Sequence, residues 1–178
     1  MICFGYPRPS DIITSCAAVI AVKNINLLKV EDREKQQDAG NARKSFYSAV
    51  KEAAYSAGAV ITAFEADTVL ICFGSPLDKT FDPVKKACTM VRRLLDNKNI
   101  TWRFGIDAGE CAFFWSPETG YSVNGRPAVR ARILVSKTVR LKKRALITEY
   151  VREKINADAE KIDSLFEESE SIYELPDF

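Results

Sequence analysis

Ala59-Val60-Ile61-Thr62-Ala63-Phe64-Glu65-Ala66-Asp67-Thr68-Val69-Leu70-Ile71-Cys72-Phe73-Gly74-Ser75-Pro76 is the stretch on which the fold turns. Its two apolar, β-branched runs, 59–64 and 68–73, flank Glu65-Ala66-Asp67, a connection short enough for a β-hairpin. Gly74-Ser75-Pro76 then stops the second strand. Upstream, Phe46, Tyr47, Val50, Ala53, Ala54 and Ala57 recur at helical spacing, and Gly58 stands where a helix C-cap glycine belongs. Downstream, Asp82-Pro83 opens a second helix, with Asp82 as N-cap and an apolar stripe of Val84, Ala87, Cys88, Val91, Leu94 and Leu95.

Working outward, Ala17-Ala18-Val19-Ile20-Ala21-Val22 suits a strand buried on both faces, and residues 24–37 read as an exposed loop or turn of helix. Residues 101–106 and 111–115 are expected to form a second hairpin around Asp107-Ala108-Gly109. Gly125 and Pro127 precede a third helix to about 139. A short strand at 145–148, a helical stretch at 149–155 and a last strand at 171–175 follow. The alternation predicts an α/β sandwich, a mixed sheet covered by helices, in a single domain spanning 1–178 with its core at about 16–175. The start, Met1 to Ser10, has the look of a cut edge from a longer signalling protein.

Composition narrows the chemistry. The chain has 178 residues, no histidine and a net charge of +2, so the commonest general base and any Ser-His or Cys-His pair are excluded. Five cysteines without a CxxC pair point to reduced thiols and a cytosolic setting. No apolar run reaches the length of about 20 residues needed to span a bilayer, and no signal peptide is evident. The expected localisation is cytoplasmic, whether free or as the cytosolic domain of a membrane-attached protein. Charge is unevenly spread. Gly120 to Thr148 holds eight Lys or Arg and no acid, whereas Asp158 to Asp177 holds eight acids and one Lys.

Three stretches in order resemble the class III adenylyl/guanylyl cyclase domain. Phe64 to Pro76 is similar to that family's F-x-G-D-x-V-L-A-x-F-G-x-P hairpin, with Ala66 in place of the glycine. Arg103-Phe104-Gly105-Ile106-Asp107-Ala108-Gly109-Glu110 resembles R-I-G-I-H-T-G-E. Tyr121-Ser122-Val123-Asn124-Gly125-Arg126-Pro127-Ala128-Val129-Arg130-Ala131-Arg132 resembles Y-T-V-I-G-D-x-V-N-L-A-A-R. The resemblance implies the nucleotide cyclase fold, a mainly antiparallel, ferredoxin-like-derived sheet covered by helices. It also implies dimers whose sites lie at the interface. There, two metal ions held by strand-end Asp residues promote attack of a ribose 3′-hydroxyl on the α-phosphate.

Carried over position by position, the resemblance places Asn24 and Asp67 at the two metal-binding Asp positions. An amide oxygen can coordinate but brings no charge, so affinity for a divalent pair should fall. The base-reading Lys position falls on Ala63 and its partner on Ser122. The ribose-orienting Asn position falls on Val129, and the catalytic Arg position on Ile133. Arg132 could serve only through a slip in register, because adjacent helical residues point about 100° apart. Of the six positions only Asp67 keeps the family's residue.

Simpler roles compete. Asp67 fits a turn residue, Asn24 a polar strand exit, Ser122 a strand hydroxyl, and Asp107 with Glu110 exposed turn acids. Arg126, Arg130, Lys137 and Arg140 are anion-binding candidates within the basic run, which otherwise reads as a solvated face that the acidic tail covers. Lack of interleaved exposed aromatics argues against nucleic acid. Three functions stay open. One is a degenerate cyclase-like domain acting as a dimerising or regulatory signalling module, needing no cofactor. It would pair with itself or with another cyclase-like domain. A second is an active adenylyl or guanylyl cyclase using Mg²⁺ or Mn²⁺ and ATP or GTP. The last is a non-catalytic binder of nucleotide triphosphate or nucleic acid through the basic run, its binding weakening with salt.

Overall fold

The first strand, β1 (Ile13–Asn24), carries six consecutive fully buried residues, Ala17 to Val22. Such a run needs cover on both sides, and it sits in the middle of the sheet. In the computed structural model, residues 12–29, 36–75, 82–96, 101–116, 120–164 and 170–176 are described. After a 3-10 turn at Ile25–Lys29 come α1 (Gln36–Ser56), β2 (Val60–Glu65), β3 (Thr68–Phe73) and α2 (Pro83–Asp96). Then follow β4 (Trp102–Ser116), β5 (Gly120–Asn124), α3 (Arg126–Arg140), β6 (Ala145–Thr148), α4 (Glu149–Lys154), β7 (Lys161–Ser164) and β8 (Ser171–Glu174).

The strands join in the order β2-β3-β1-β4-β6-β8-β7, with β5 paired to β4 off that path. Only the β4–β6 pairing is parallel; every other pair is antiparallel. Alternation along β1 divides the core. Ala18, Ile20 and Val22 pack with Phe46 and Val50 of α1, Val84 and Val91 of α2, and Val151 of α4. Ala17, Val19 and Ala21 pack with Ala128, Ala131 and Val135 of α3. Helices thus cover both faces of a mixed, mainly antiparallel sheet, as expected.

The β2–β3 hairpin forms where the apolar runs placed it, with Glu65 opposite Thr68. Asp82 caps α2, its carboxylate accepting the Lys85 N–H at 2.9 Å, and Gly58 follows α1 with φ +75°. Among the described residues, Cys16, Cys72, Cys88 and Cys111 are free thiols. Burial pushes the Cys72, Cys88 and Cys111 thiols up to about 12, so they behave as small hydrophobes, whereas Cys16 is exposed.

One expected hairpin is corrected. Residues 102–116 form one strand of 15 residues rather than two strands around Asp107-Ala108-Gly109. Its first half runs beside β1 and β6, and its second half pairs with β5, which is the true hairpin partner. Gly109 keeps its place in the ladder opposite Ala17, at a φ of +154° that a glycine adopts without strain. Asp107 is accordingly no exposed turn acid. It lies inside the sheet opposite Val19 and is fully buried, whereas Glu110 is exposed. The expected cut edge at Met1 to Ser10 lies outside the described residues.

Candidate functional site

Strand register brings Asn24 and Asp67 together. Asn24 is the last residue of β1, and Asp67 sits in the turn between β2 and β3. The Asn24 N–H donates to the Asp67 carbonyl at 3.1 Å. The two positions that the resemblance assigns to metal ligands are therefore neighbours here too.

Their side chains are otherwise engaged. Lys23 Nζ lies 2.9 Å from Asp67 Oδ2, and the Thr68 hydroxyl donates to Asp67 Oδ1 at 2.8 Å. Only 17% of the Lys23 side chain and 21% of Asp67 reach solvent, so this ion pair is largely shielded. Burial alone would raise the Asp67 carboxyl. The hydrogen bonds from Lys23 and Thr68, with the charge of Lys23, outweigh it and hold the group below its ordinary value. Asn24 Oδ1 accepts the Asn26 N–H at 3.1 Å, closing a local turn at the strand exit.

A divalent pair does not fit this donor set. One ligand position carries no charge, the other is neutralised by an ammonium, and Arg103 stands directly across from Lys23 on β4. No group of three or more His, Cys, Asp or Glu side chains that could hold a metal ion occurs among the described residues.

The helical half of the site lies on α3. Val129 is 51% exposed, presenting an isopropyl group where the resemblance expects a ribose-orienting amide. Ile133 packs against the buried cluster of Leu134, Leu146 and Ile172. Arg132, the register-shifted candidate, is held by its own chain. Its Nε and Nη2 donate to Glu65 Oε1 at 2.9 and 2.6 Å, and Nη1 donates to the Ala128 carbonyl at 3.2 Å. Ala63 on β2, like Tyr121 and Val123 of β5, packs against the buried cluster under α3, and Ser122 of β5 pairs with Phe114 across the β4–β5 ladder.

Five of the eight cations of the basic run pair with acids from the C-terminal part of the chain, with Arg126 and Arg140 still 75% and 67% exposed. Arg126 and Arg130 both reach Glu170, Lys137 and Arg140 both reach Asp163, and Lys143 reaches Glu174 at 2.7 Å. The four anion-binding candidates thus have carboxylate partners within the molecule. Lys137 Nζ also donates to the Ser164 carbonyl at 2.6 Å, which fastens β7 against α3.

Sequence reasoning missed the role of Asp107. It accepts the Thr148 hydroxyl at 2.6 Å and lies 3.6 Å from Arg130 Nη1, with the Arg130 side chain itself 11% exposed. Burial raises the Asp107 carboxyl despite the bonds from Thr148, the Ala108 N–H and Arg130. A cavity of about 640 Å³ lies beside this network, lined by Cys16, Glu110, Arg130, Tyr150 and Glu170 among others. Another, of about 660 Å³, separates α1 from α2 and is lined by none of these residues.

No protein-family model and no curated protein matches the sequence. Solved structures do match in shape. The adenylyl cyclase CyaB of P. aeruginosa superposes with a TM-score of 0.70 at 18% identity, over 94% of this chain and 97% of that one. The non-canonical dimeric guanylyl cyclase domain of the RhoGC fusion protein from the aquatic fungus Blastocladiella emersonii gives 0.71 at 13%, over 92% and 95%. A class III adenylyl cyclase-like ATP-binding protein from Pseudomonas aeruginosa gives 0.72 at 20%, over 84% of this chain and 36% of that longer one. The chain therefore has the fold of the class III nucleotidyl cyclase domain. None of its helices, among the described residues, is long and apolar enough to cross a membrane.

Proposed function

We propose that this chain is a cyclase-fold domain that works by association, as a dimerising or regulatory signalling module, and does not cyclise nucleotides. The observation that carries this reading is the Lys23–Asp67 ion pair. It neutralises the one family-matching ligand, beside an Asn24 whose side-chain oxygen is turned into a local hydrogen bond. The α3 half agrees, since the Val129 and Ile133 side chains offer no polar atom to a ribose or a phosphate.

What such a framework can still offer is a surface. Val129, about half exposed, leaves an apolar group on α3 one turn from Arg132, whose pair with Glu65 ties α3 to β2. The structural likeness to a guanylyl cyclase domain described as a non-canonical dimer supports pairing as such, and Val129 is the surface group chosen to probe it. Sedimentation velocity across the micromolar range tests it. The parent is expected to self-associate, and Val129→Glu, which buries an unpaired charge, is expected to weaken pairing by at least about tenfold, or ~1.4 kcal/mol. A parent that stays monomeric throughout would overturn the self-association reading.

The alternative, an active adenylyl or guanylyl cyclase, is favoured by the shapes of the enzymes that superpose on this chain. It requires Lys23 to leave Asp67 and Arg132 to leave Glu65. The third reading, binding through the basic run, would need ligands to displace the carboxylates of Asp163 and Glu170.

A further inference from the structure

We infer that the Lys23 ammonium is a built-in replacement for the divalent cation, so that this site excludes Mg²⁺ and Mn²⁺ by occupancy as well as by loss of a ligand. The inference deepens the reading of Asn24 and Asp67 as the metal positions, and rests on it.

Three observations converge. Lys23 Nζ sits at salt-bridge distance from Asp67 Oδ2, 2.9 Å, on a side chain that is 17% exposed. The pair is therefore held by the fold rather than formed by two loose surface chains. Strand geometry fixes it. Lys23 continues the Ala17, Val19, Ala21 face of β1, and its Cα partner on β3 is Thr68, next to Asp67 in the hairpin turn. Finally, the partner of Lys23 on the other side is Arg103 of β4. Directly opposed residues of an antiparallel pair share a face, so a second cationic side chain departs from the same face, with Arg144 as its charged neighbour. Among the described residues Arg103 makes no ion pair with a carboxylate; its Nη1 donates to the Trp102 carbonyl at 3.3 Å.

A divalent ion arriving at Asp67 would have to expel an ammonium, with only an uncharged amide at the second ligand position. The chemistry of the position is that of a carboxylate already supplied with its cation. Asn24 and Lys23 then act as one device. Asn24→Asp alone should leave the Lys23–Asp67 pair intact and the position still closed to metal, whereas adding Lys23→Gln should open it.

Titration of Mn²⁺ followed by electron paramagnetic resonance tests this on the full chain, with circular dichroism as the check on folding. The parent is expected to leave Mn²⁺ free. The Asn24→Asp variant is expected to bind weakly, and Lys23→Gln/Asn24→Asp about a hundredfold more tightly than the parent. That factor follows from two unit charges exchanged close to a divalent ion, even at the dielectric constant of water. Stoichiometric Mn²⁺ binding by the parent that disappears in Asp67→Asn would overturn the inference. A folded double variant that binds no better than the parent would do the same. If the double variant does not fold, the parent and Asp67→Asn titrations decide alone. A failure here leaves the association reading to be judged by sedimentation, which does not depend on metal.

Discussion

Gly105→Ala is expected to destabilise the domain by about 3 kcal/mol or more, the upper range for forcing atoms into a packed interior. A Cβ on Gly105 would lie 2.3 Å from the Ala131 carbonyl oxygen, 2.5 Å from the Val135 nitrogen and 2.8 Å from Leu134 Cβ. Two of those atoms belong to the backbone of α3, so no side-chain rotation relieves the overlap. The helix would have to lift from β4, opening the layer in which Ala131, Leu134 and Val135 are buried. For a chain of this size a loss of ~3 kcal/mol corresponds to roughly 6–12 °C in Tm, read by thermal or urea unfolding. Gly40→Ala in α1 is the control with the opposite sign. Nothing lies within 4 Å of its added Cβ, and exchanging a helical Gly for Ala gains up to about 1 kcal/mol. A Gly105→Ala protein as stable as its parent would mean that α3 does not sit this close to β4.

Arg130→Ala should cost about 3 kcal/mol or more at neutral pH, the cost of leaving one buried charge without its partner. Asp107 would keep only the Thr148 hydroxyl and the Ala108 N–H, in a position with no access to solvent. The pH dependence follows from the direction of its shift. Burial already raises the folded-state carboxyl above 3.8, and loss of Arg130 removes two of the contributions that lower it. A raised folded value means that the native state holds its proton more tightly than the unfolded chain. Stability from that group is complete below the unfolded value and declines as pH rises through the folded one. The deficit of the variant is therefore expected to be small near the acid end, at about pH 4, and to grow towards neutrality. Asp107→Asn in the Arg130→Ala background removes the charge, keeps an acceptor for Thr148 and should recover part of the loss at neutral pH. If the double variant is less stable than Arg130→Ala alone, Asp107 is not the stranded charge.

The layer architecture is legible in the sequence because the apolar runs and turn residues coincide. The β2–β3 hairpin and the Asp82 cap are local, and they form where local chemistry puts them. Asp107-Ala108-Gly109 misleads because these are turn-forming residues by composition, and only distant partners, Thr148 and Arg130, make a buried aspartate tolerable there. β7 escapes notice, and β5 shows only as the strand hydroxyl read at Ser122, because four or five residues of mixed polarity carry little periodicity. In the site, the resemblance assigns Asn24 and Asp67 to one centre, and the β1 exit and the hairpin turn do lie side by side. It marks Arg132 too, but not its tie to Glu65, 67 residues away. Lys23 goes unmarked altogether. Its signal is present in part, as the charged continuation of an apolar period-2 face. What it meets depends on the β1–β3 register, which no local pattern states.

The basic run shows the same limit. The eight cations read as a solvated face or a seat for an anionic partner, and the fold brings Asp163, Glu170 and Glu174 onto five of them. Charge asymmetry along a chain can be resolved inside one molecule as readily as between two.

The central claim, that this cyclase-fold domain does not cyclise nucleotides, is tested most directly by mass spectrometry for cyclic AMP and cyclic GMP. The full chain would be incubated at high concentration with ATP or GTP and Mn²⁺, beside Asp67→Asn. The Lys23–Asp67 pair predicts no product above background from either protein. Cyclic nucleotide from the parent and none from Asp67→Asn would contradict the account, and would show that Lys23 yields its carboxylate to a metal after all.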